Sequence, residues 1–239
     1  MVTLTPWAAL LAELAADRAT QPARICELSV AELGVAGAGV SMATSTGTRE
    51  AICATDAVSA RIEDLHITLG EGPCIDTLRT GTPILVGDVD EPGDRAVTLW
   101  PRFMDGAGVA GVRGLFAFPL SIGAMKLGSL VFYRDRPGDL GRDQLSQALV
   151  AADACALSLL HLKAGWEQET VRDAVGLDVG SGHLAQVHQA TGMVQVQLDV
   201  STEEAFLVLR ARAFATDRAL GEVASDVVEL RLRFSQEDR

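Results

Sequence analysis

The side chains best suited to catalysis or metal binding are few and widely spaced in this chain. The imidazole and thiol groups come from His66, His161, His183, His188, Cys26, Cys53, Cys74 and Cys155. The cysteines form no CxxC pair. His183 and His188 lie five residues apart, so they do not share a helix face as zinc ligands would. The spacing therefore predicts no metal site, and we expect the cysteines to be reduced, small buried side chains.

Motifs that accompany enzyme chemistry are absent from the sequence. There is no GxxxxGK[ST] phosphate loop, no HExxH zinc motif and no GxSxG nucleophile motif. Gly70-Glu71-Gly72 lacks the third glycine of a GxGxxG dinucleotide fingerprint. We therefore expect a protein that is not an enzyme and that carries no cofactor.

The composition is that of a globular protein. With 239 residues, 48% hydrophobic and 22% charged, the chain is long enough for one large or two modest domains. A net charge of −12 argues against a general binder of nucleic acid or of membrane surfaces. Residues 1–5 lack the basic start of a signal peptide, so we expect a cytoplasmic protein with no membrane contact.

The N-terminal two thirds of the chain predict an α+β domain. The pattern runs helix, strand, strand, helix, strand, loop, strand, strand, helix, which is typical of an antiparallel sheet flanked by helices. The last helix, about residues 143–163, is apolar around most of its circumference and needs a second covering surface. We expect a twin helix of a second chain, together with an N-terminal helix within residues 1–22, to cover it in a parallel homodimer.

Three amphipathic segments follow between His183 and Leu230. The second begins with Ser201 as N-cap and Glu204 three residues on, the spacing of a capping box. Apolar residues recur at helical spacing in the second and third segments, so the three segments can share one small core. The sequence predicts an all-α three-helix bundle at this end.

This bundle resembles the ANTAR domain of bacterial regulators. The resemblance is carried by Gln189-Ala190-Thr191-Gly192-Met193, Glu204-Ala205, Leu209-Arg210-Ala211, Ala213-Phe214, Leu220, Val223-Ala224 and Val227-Val228. It implies a module that binds paired RNA hairpins and prevents transcription termination, usually as a dimer. We therefore expect two-hairpin RNA as the partner.

The charge of this module limits where RNA can bind. Residues 181–239 carry six arginines, no lysine and nine acids, a net charge of −3. Many members of the family have a lysine where this chain has Thr191. The candidate RNA contacts are Gln186, Gln189, Thr191, Arg210 and Arg218. The alternative is a module that docks onto a protein partner without RNA contact.

Residues 23–162 resemble a GAF domain of the kind found in actinobacterial regulators. The resemblance is carried by Gly70-Glu71-Gly72-Pro73-Cys74, Val86-Gly87-Asp88, Trp100-Pro101 and Gly128-Ser129-Leu130. It implies a sensory domain that binds an unknown small molecule or serves in dimerisation. Candidate pocket residues are Met42, Cys74, Trp100, Phe116, Phe118 and Tyr133. For the phenylalanines, plain core packing is the favoured interpretation.

The expected organisation has four parts. They are a dimerisation helix (1–22), a GAF sensory domain (23–162), a connector with a hinge (163–182) and an ANTAR domain (183–232). A GAF-type enzyme such as a sulfoxide reductase would require Cys74 to lie close to another cysteine, which the sequence does not suggest.

Overall fold

The structure, a computed structural model, describes Trp7 and residues 21–43, 49–91, 98–169, 182–216 and 218–235. The N-terminal part of these ranges contains five helices and five strands. In chain order they are α1 (Pro22–Leu33), β1 (Gly37–Ala43), β2 (Arg49–Ala54), α2 (Ala57–Leu69), α3 (Pro73–Thr80), β3 (Ile84–Val86), α4 (Pro101–Val109), β4 (Gly114–Ile122), β5 (Met125–Arg134) and α5 (Arg142–Glu169).

The strands form one antiparallel sheet in the order β2-β1-β5-β4-β3. Strands β4 and β5 are a hairpin whose register closes at Ile122 opposite Met125. Strand β1 lies between β2 and β5 and pairs with both. The predicted antiparallel sheet flanked by helices is confirmed.

The two faces of the sheet pack against different helices. Side chains alternate along each strand, so neighbouring residues enter different cores. On β4, Phe116 and Phe118 enter a core shared with α1 and α5. Leu115 and Ala117 enter a second core shared with α2, α3 and α4. Any site between the sheet and α2 therefore belongs to the second core.

Helix α5 is the apolar helix that the sequence predicts near residues 143–163. Residues 142–163 are long and apolar enough to cross a membrane by length and composition, the one such helix among the described residues. Its side chains Ala151, Cys155 and Leu159 are buried in the core with α1 and the sheet. Leu149 and Leu157 remain 44% and 42% exposed. Packing in the domain core accounts for the apolar inner face.

The C-terminal part is a three-helix bundle. Its helices are α6 (Gly182–Leu198), α7 (Thr202–Ala215) and α8 (Leu220–Val228). The capping box is present: the Ser201 hydroxyl accepts from the Glu204 N–H at 3.2 Å, and the Glu204 carboxylate accepts from the Ser201 N–H at 2.9 Å. Side chains of all three helices, among them Val194, Leu209 and Val223, form one buried core. The predicted bundle is confirmed.

Two expectations fall largely outside the described residues. The proposed dimerisation helix (1–22) is described only at Trp7 and residues 21–22, and the proposed hinge only at Gly182. Helix α5 continues to Glu169, so the first part of the expected connector is helical.

Candidate signal site and effector surface

Three polar side chains that differ in chemistry meet in the core between the sheet and helices α2 and α3. Glu63 and His66 point inward from α2, three residues apart, and Cys74 lies in the first turn of α3. None of the three has any exposed surface. One donor atom from each lies within 4.8 Å of the others. We call these three residues the buried triad.

Arg49 reaches the triad from β2. Its guanidinium donates to the carbonyl oxygen of Cys74 at 2.9 Å, to the Ser41 hydroxyl at 2.5 Å and to the Ser129 hydroxyl. Ser41 and Ser129 lie on the paired strands β1 and β5, with their hydroxyls 3.1 Å apart. The guanidinium thus ties three strands to the start of α3.

Hydrogen bonding of the triad is incomplete within the part of the chain that the structure describes. The His66 Nε2 accepts from the Cys74 N–H at 3.2 Å, which leaves Nδ1 as the protonated nitrogen of a neutral ring. No described group donates to either Glu63 carboxylate oxygen with normal geometry, and the His66 Nδ1 also lacks a partner. Buried polar groups are usually satisfied, so this cluster requires a chemical explanation.

Burial sets the protonation states of the triad. It raises the pKa of Glu63 to about 7, although the nearby Arg49 guanidinium offsets part of the effect. Burial lowers the pKa of His66 well below its usual value, and the Arg49 charge lowers it further. Burial also raises the pKa of Cys74 to about 12, so the thiol is protonated at neutral pH.

The glycine-rich turn brings α3 back onto α2. Gly70 and Gly72 both have left-handed backbone angles, with φ of 67° and 122°. A Cβ on Gly72 would lie 2.7 Å from the Cδ2 of His66 and 2.9 Å from the Phe103 ring. The turn that the sequence singled out therefore acts by close packing, and it places Cys74 against His66.

Of the triad, only Cys74 was predicted from the sequence as a site residue. Glu63 and His66 were not among the predicted site residues. The missed signal is the i, i+3 spacing of Glu63 and His66, which puts both on one helix face. Helix α3 was not predicted either, although Pro73 after Gly72 is a helix-start signal.

The six predicted pocket residues separate into two groups. Cys74, Trp100 and Tyr133 are buried in the core that contains the triad. The other three are buried in the opposite core, with α1 and α5: Met42, Phe116 and Phe118. They do not line a common cavity, because alternate residues of a strand face opposite sides of the sheet.

Two of the predicted pocket residues, Tyr133 and Trp100, form hydrogen bonds that hold helices α2 and α3 in place. The Tyr133 hydroxyl donates to the carboxylate of Asp56, the N-cap of α2, at 3.2 Å. Burial raises the pKa of Tyr133 to about 12, and the Asp56 charge adds to the effect. The Trp100 indole donates to the Asp76 carboxylate at 3.0 Å. The Tyr133 hydroxyl and the Trp100 indole N–H are therefore both hydrogen-bonded within the protein.

The outer side of α2 contacts the C-terminal bundle through two hydrogen bonds. The Asp64 carboxylate accepts from the N–H of Leu220, the first residue of α8, at 3.2 Å. Arg210 of α7 donates to the carbonyl of Thr68, in the last turn of α2, at 3.2 Å. Each domain therefore supplies a polar partner to a helix end of the other.

Apolar and aromatic contacts accompany these hydrogen bonds. Ile67 of α2 packs against the core of the bundle. The Arg102 guanidinium of α4 lies 4.7 Å from the centre of the Phe214 ring, within cation–π range. We call Asp64, Ile67, Thr68 and Arg102 the docking surface of the N-terminal domain.

Most of the predicted RNA-contact residues are engaged within the protein. Thr191 is buried, and its hydroxyl donates to the Val187 carbonyl at 2.7 Å. Arg210 contacts the docking surface. Arg218 forms ion pairs with Asp226 at 2.7 Å and Glu222 at 3.5 Å.

The two predicted glutamines and one further arginine lie closer to solvent. Gln189 is exposed and Gln186 is half-buried on α6. Arg212 on α7 is exposed. It has no ion-pair partner among the described residues.

Comparison with protein families matches both parts of the chain. Residues 22–159 match the GAF domain and residues 183–228 match the ANTAR domain. A search of curated proteins finds no match.

One solved structure shows the same fold as the N-terminal part, and others are similar to it. The GAF domain of a phosphoenolpyruvate-protein phosphotransferase from Acinetobacter is 10% identical, with a TM-score of 0.50, over 67% of this chain and 94% of that one. The corresponding GAF domain from Coxiella burnetii is 14% identical, with a TM-score of 0.46, over 68% and 99%. A type II free methionine-R-sulfoxide reductase from Thermoplasma acidophilum is 14% identical, with a TM-score of 0.45, over 62% and 96%. Sequence identities this low support a shared fold and do not support a shared function.

A sheet domain with a buried polar site, followed by a docked helical bundle, defines a two-domain sensory and regulatory protein. The chain belongs to the GAF family and carries an ANTAR domain after the GAF domain, which makes it a GAF–ANTAR regulator. GAF domains are sensory, and ANTAR domains are RNA-binding antitermination regulators.

Proposed function

We propose that this chain is a signal-responsive regulator that prevents transcription termination by binding two-hairpin RNA through its ANTAR domain. The observation that carries the proposal is the match of residues 183–228 to ANTAR, on a bundle whose capping box and core are complete. The protein acts in the cytoplasm as a homodimer without catalytic activity. The GAF domain receives the signal.

The docking surface offers a way for the signal to reach RNA. Arg210 is one of six arginines in a module with no lysine, and its guanidinium is directed at Thr68 of the GAF domain. A guanidinium that bonds to a carbonyl of the GAF domain has fewer N–H groups left to contact phosphate. The docked arrangement is therefore the weaker RNA binder, and a signal that favours the undocked arrangement raises RNA affinity.

The test is binding of the purified full chain to a labelled two-hairpin RNA from its own genome, across a salt series. We expect affinity to fall as salt rises, because phosphate contacts release counterions. Replacing Arg210 and Arg218 with Gln should weaken binding at every salt concentration and reduce the salt slope by about one per lost phosphate contact.

Arg79→Gln is the matched control for this experiment. Arg79 is a GAF arginine whose side chain is 72% exposed and pairs with Asp76 at 3.1 Å. Arg79→Gln removes one positive charge, as each single ANTAR substitution does, far along the chain from the ANTAR module, and we expect unchanged RNA affinity. Equal losses in the control and in the ANTAR variants would contradict RNA contact by Arg210 and Arg218.

A protein partner is the second candidate function. It is favoured by the charge of the module, because Arg218 is neutralised by Asp226 and Glu222. In this case the acidic bundle docks onto a partner regulator and makes no RNA contact. Absence of RNA binding, with or without cell extract as a source of signal molecule, would support it.

A further inference from the structure

The buried triad contains three polar atoms, on two of its side chains, that the packing around them does not satisfy. Both Glu63 carboxylate oxygens and the His66 Nδ1 are buried without a hydrogen-bond partner among the described residues. An unsatisfied buried polar group destabilises the folded state, and an unsatisfied buried charge destabilises it more. Three such atoms at one point in the domain core, beside the Arg49 guanidinium that bonds elsewhere, indicate that something else satisfies them.

The chemistry of the donors selects a metal ion. Carboxylate oxygen, imidazole nitrogen and thiolate sulfur together are a ligand set that Zn²⁺ accepts, whereas Mg²⁺ and Ca²⁺ take oxygen ligands. Atoms that share a tetrahedral zinc lie about 3–4 Å apart, because each is about 2.0–2.3 Å from the ion. The donor atoms of the triad all lie within 4.8 Å of one another.

We propose that Glu63, His66 and Cys74 bind one divalent transition-metal ion of the zinc type in the core of the GAF domain. Three protein ligands leave the fourth tetrahedral position open, as in zinc sites that exchange a ligand. The ion supplies the partner that the Glu63 oxygens and the His66 ring lack.

Charge and proton balance are consistent with such an ion. The Glu63 carboxylate and the Cys74 thiolate together carry two negative charges, which a divalent ion matches. Cys74 gives up its thiol proton to solvent as the metal–sulfur bond forms, and a protonated Glu63 likewise gives up its carboxyl proton as it binds the ion. His66 binds as a neutral ring through one nitrogen: either Nε2 releases the Cys74 N–H and binds the ion, or Nδ1 binds the ion and its proton moves to Nε2, which also ends the contact with the Cys74 N–H. Arg49 keeps its bonds to the Cys74 carbonyl and the two serines.

The site lies directly behind the docking surface. Helix α2 carries Glu63 and His66 on its inner side and Asp64 and Thr68 on the side that contacts the ANTAR domain. Occupancy of the triad therefore sets the position of α2, the helix whose Thr68 carbonyl accepts the hydrogen bond from Arg210. This consequence for regulation rests on the proposed function, whereas metal binding itself does not.

The experiment uses the full chain expressed with Co²⁺ in the medium and separated from loose metal on a size-exclusion column. Metal content and absorption are measured without RNA, so the result is independent of RNA binding. We expect one Co²⁺ per chain and a thiolate-to-cobalt charge-transfer band in the near ultraviolet. Zn²⁺ should displace the cobalt and abolish the band.

Variants identify the ligands. Cys74→Ser should abolish the charge-transfer band, and Glu63→Gln and His66→Gln should each weaken metal binding by on the order of tenfold or more. Glu63→Gln keeps the side-chain shape, so it tests the site even where Cys74→Ser does not fold. Circular dichroism reports the folding of each variant.

Cys53→Ser is the matched control, because Cys53 packs against the opposite core, where its sulfur lies 3.6 Å from that of Cys26. This variant should retain both the metal and the band. The proposal is overturned if the wild-type chain holds no metal, or if the band disappears with Cys53→Ser and survives in Cys74→Ser.

Discussion

The Asp64 carboxylate of the GAF domain accepts a hydrogen bond from the Leu220 N–H of the ANTAR domain at 3.2 Å. Leu220 begins α8, whose N-cap residue is Ala219, a residue without a side-chain acceptor. Asp64 provides that acceptor from the other domain, and its negative charge also suits the positive end of the helix dipole. In the opposite direction Arg210 donates to the Thr68 carbonyl near the end of α2.

Asp64→Ala should loosen the start of α8. Loss of an N-cap acceptor costs a helix about 1 kcal/mol. Hydrogen exchange of the first amides of α8 should therefore become roughly fivefold faster in the full chain. Arg61→Ala is the control, since Arg61 pairs with Asp64 at 2.8 Å and makes no hydrogen bond or ion pair to α8 among the described residues. Unchanged exchange in Asp64→Ala would show that this bond does not hold α8.

The same Asp64→Ala variant should bind two-hairpin RNA more tightly. Removing about 1 kcal/mol from the docked arrangement shifts the population towards the undocked one, for a gain of at most about fivefold. Glu32→Ala removes an equal charge from an exposed position on α1 and controls for reduced repulsion of RNA. A gain of equal size in both variants would point to charge alone.

Glu63→Gln should change how stability depends on pH in chelator-treated protein. The folded pKa of about 7 lies above the ordinary 4.5, so the folded state binds the proton more tightly than the unfolded state. The contribution of Glu63 to stability is therefore present below about pH 4.5 and is lost as pH rises to about 7. Above that pH, relief of the buried charge by Gln is on the order of 3 kcal/mol.

Other groups around Glu63 contribute to the same titration. Arg49 faces it from β2, His66 from the same helix and Cys74 from α3. His66 acts with the opposite sign, because its lowered pKa removes stability as pH falls below about 6.5. The comparison of variant with wild type, by urea unfolding from pH 4.5 to 8, isolates Glu63. A difference that does not grow with pH would contradict burial of an ionising Glu63.

Replacing Leu149 and Leu157 with Glu should weaken the proposed homodimer. Both lie on the outer face of α5, at 44% and 42% exposure, and are spaced by two helical turns. Two charges in an apolar interface should raise the dimer dissociation constant by roughly tenfold or more, measured by sedimentation equilibrium. Leu85→Glu, at a position 45% exposed on β3, is the control and should leave the dimer intact. An unchanged constant in the α5 variant would exclude this face.

Local patterns determined most of the architecture. The capping box at Ser201 and Glu204 depends on residues three apart, and the apolar stripe from Ala205 to Ala213 depends on helical spacing, so both are readable in the chain. The hairpin of β4 and β5 likewise follows from two apolar runs around a short turn. These features are predictable because the interactions that form them are close in sequence.

The tertiary structure decided which polar groups meet. Sequence spacing does not show that Arg49 joins Glu63, His66 and Cys74, since they come from one strand and two helices. It also does not show that Arg210 is held at Thr68, 142 positions away. Met42 and Cys74 were expected in one pocket, yet the sheet separates them. Contacts between distant segments depend on how helices pack on the sheet and on each other, and that packing is a property of the folded chain as a whole.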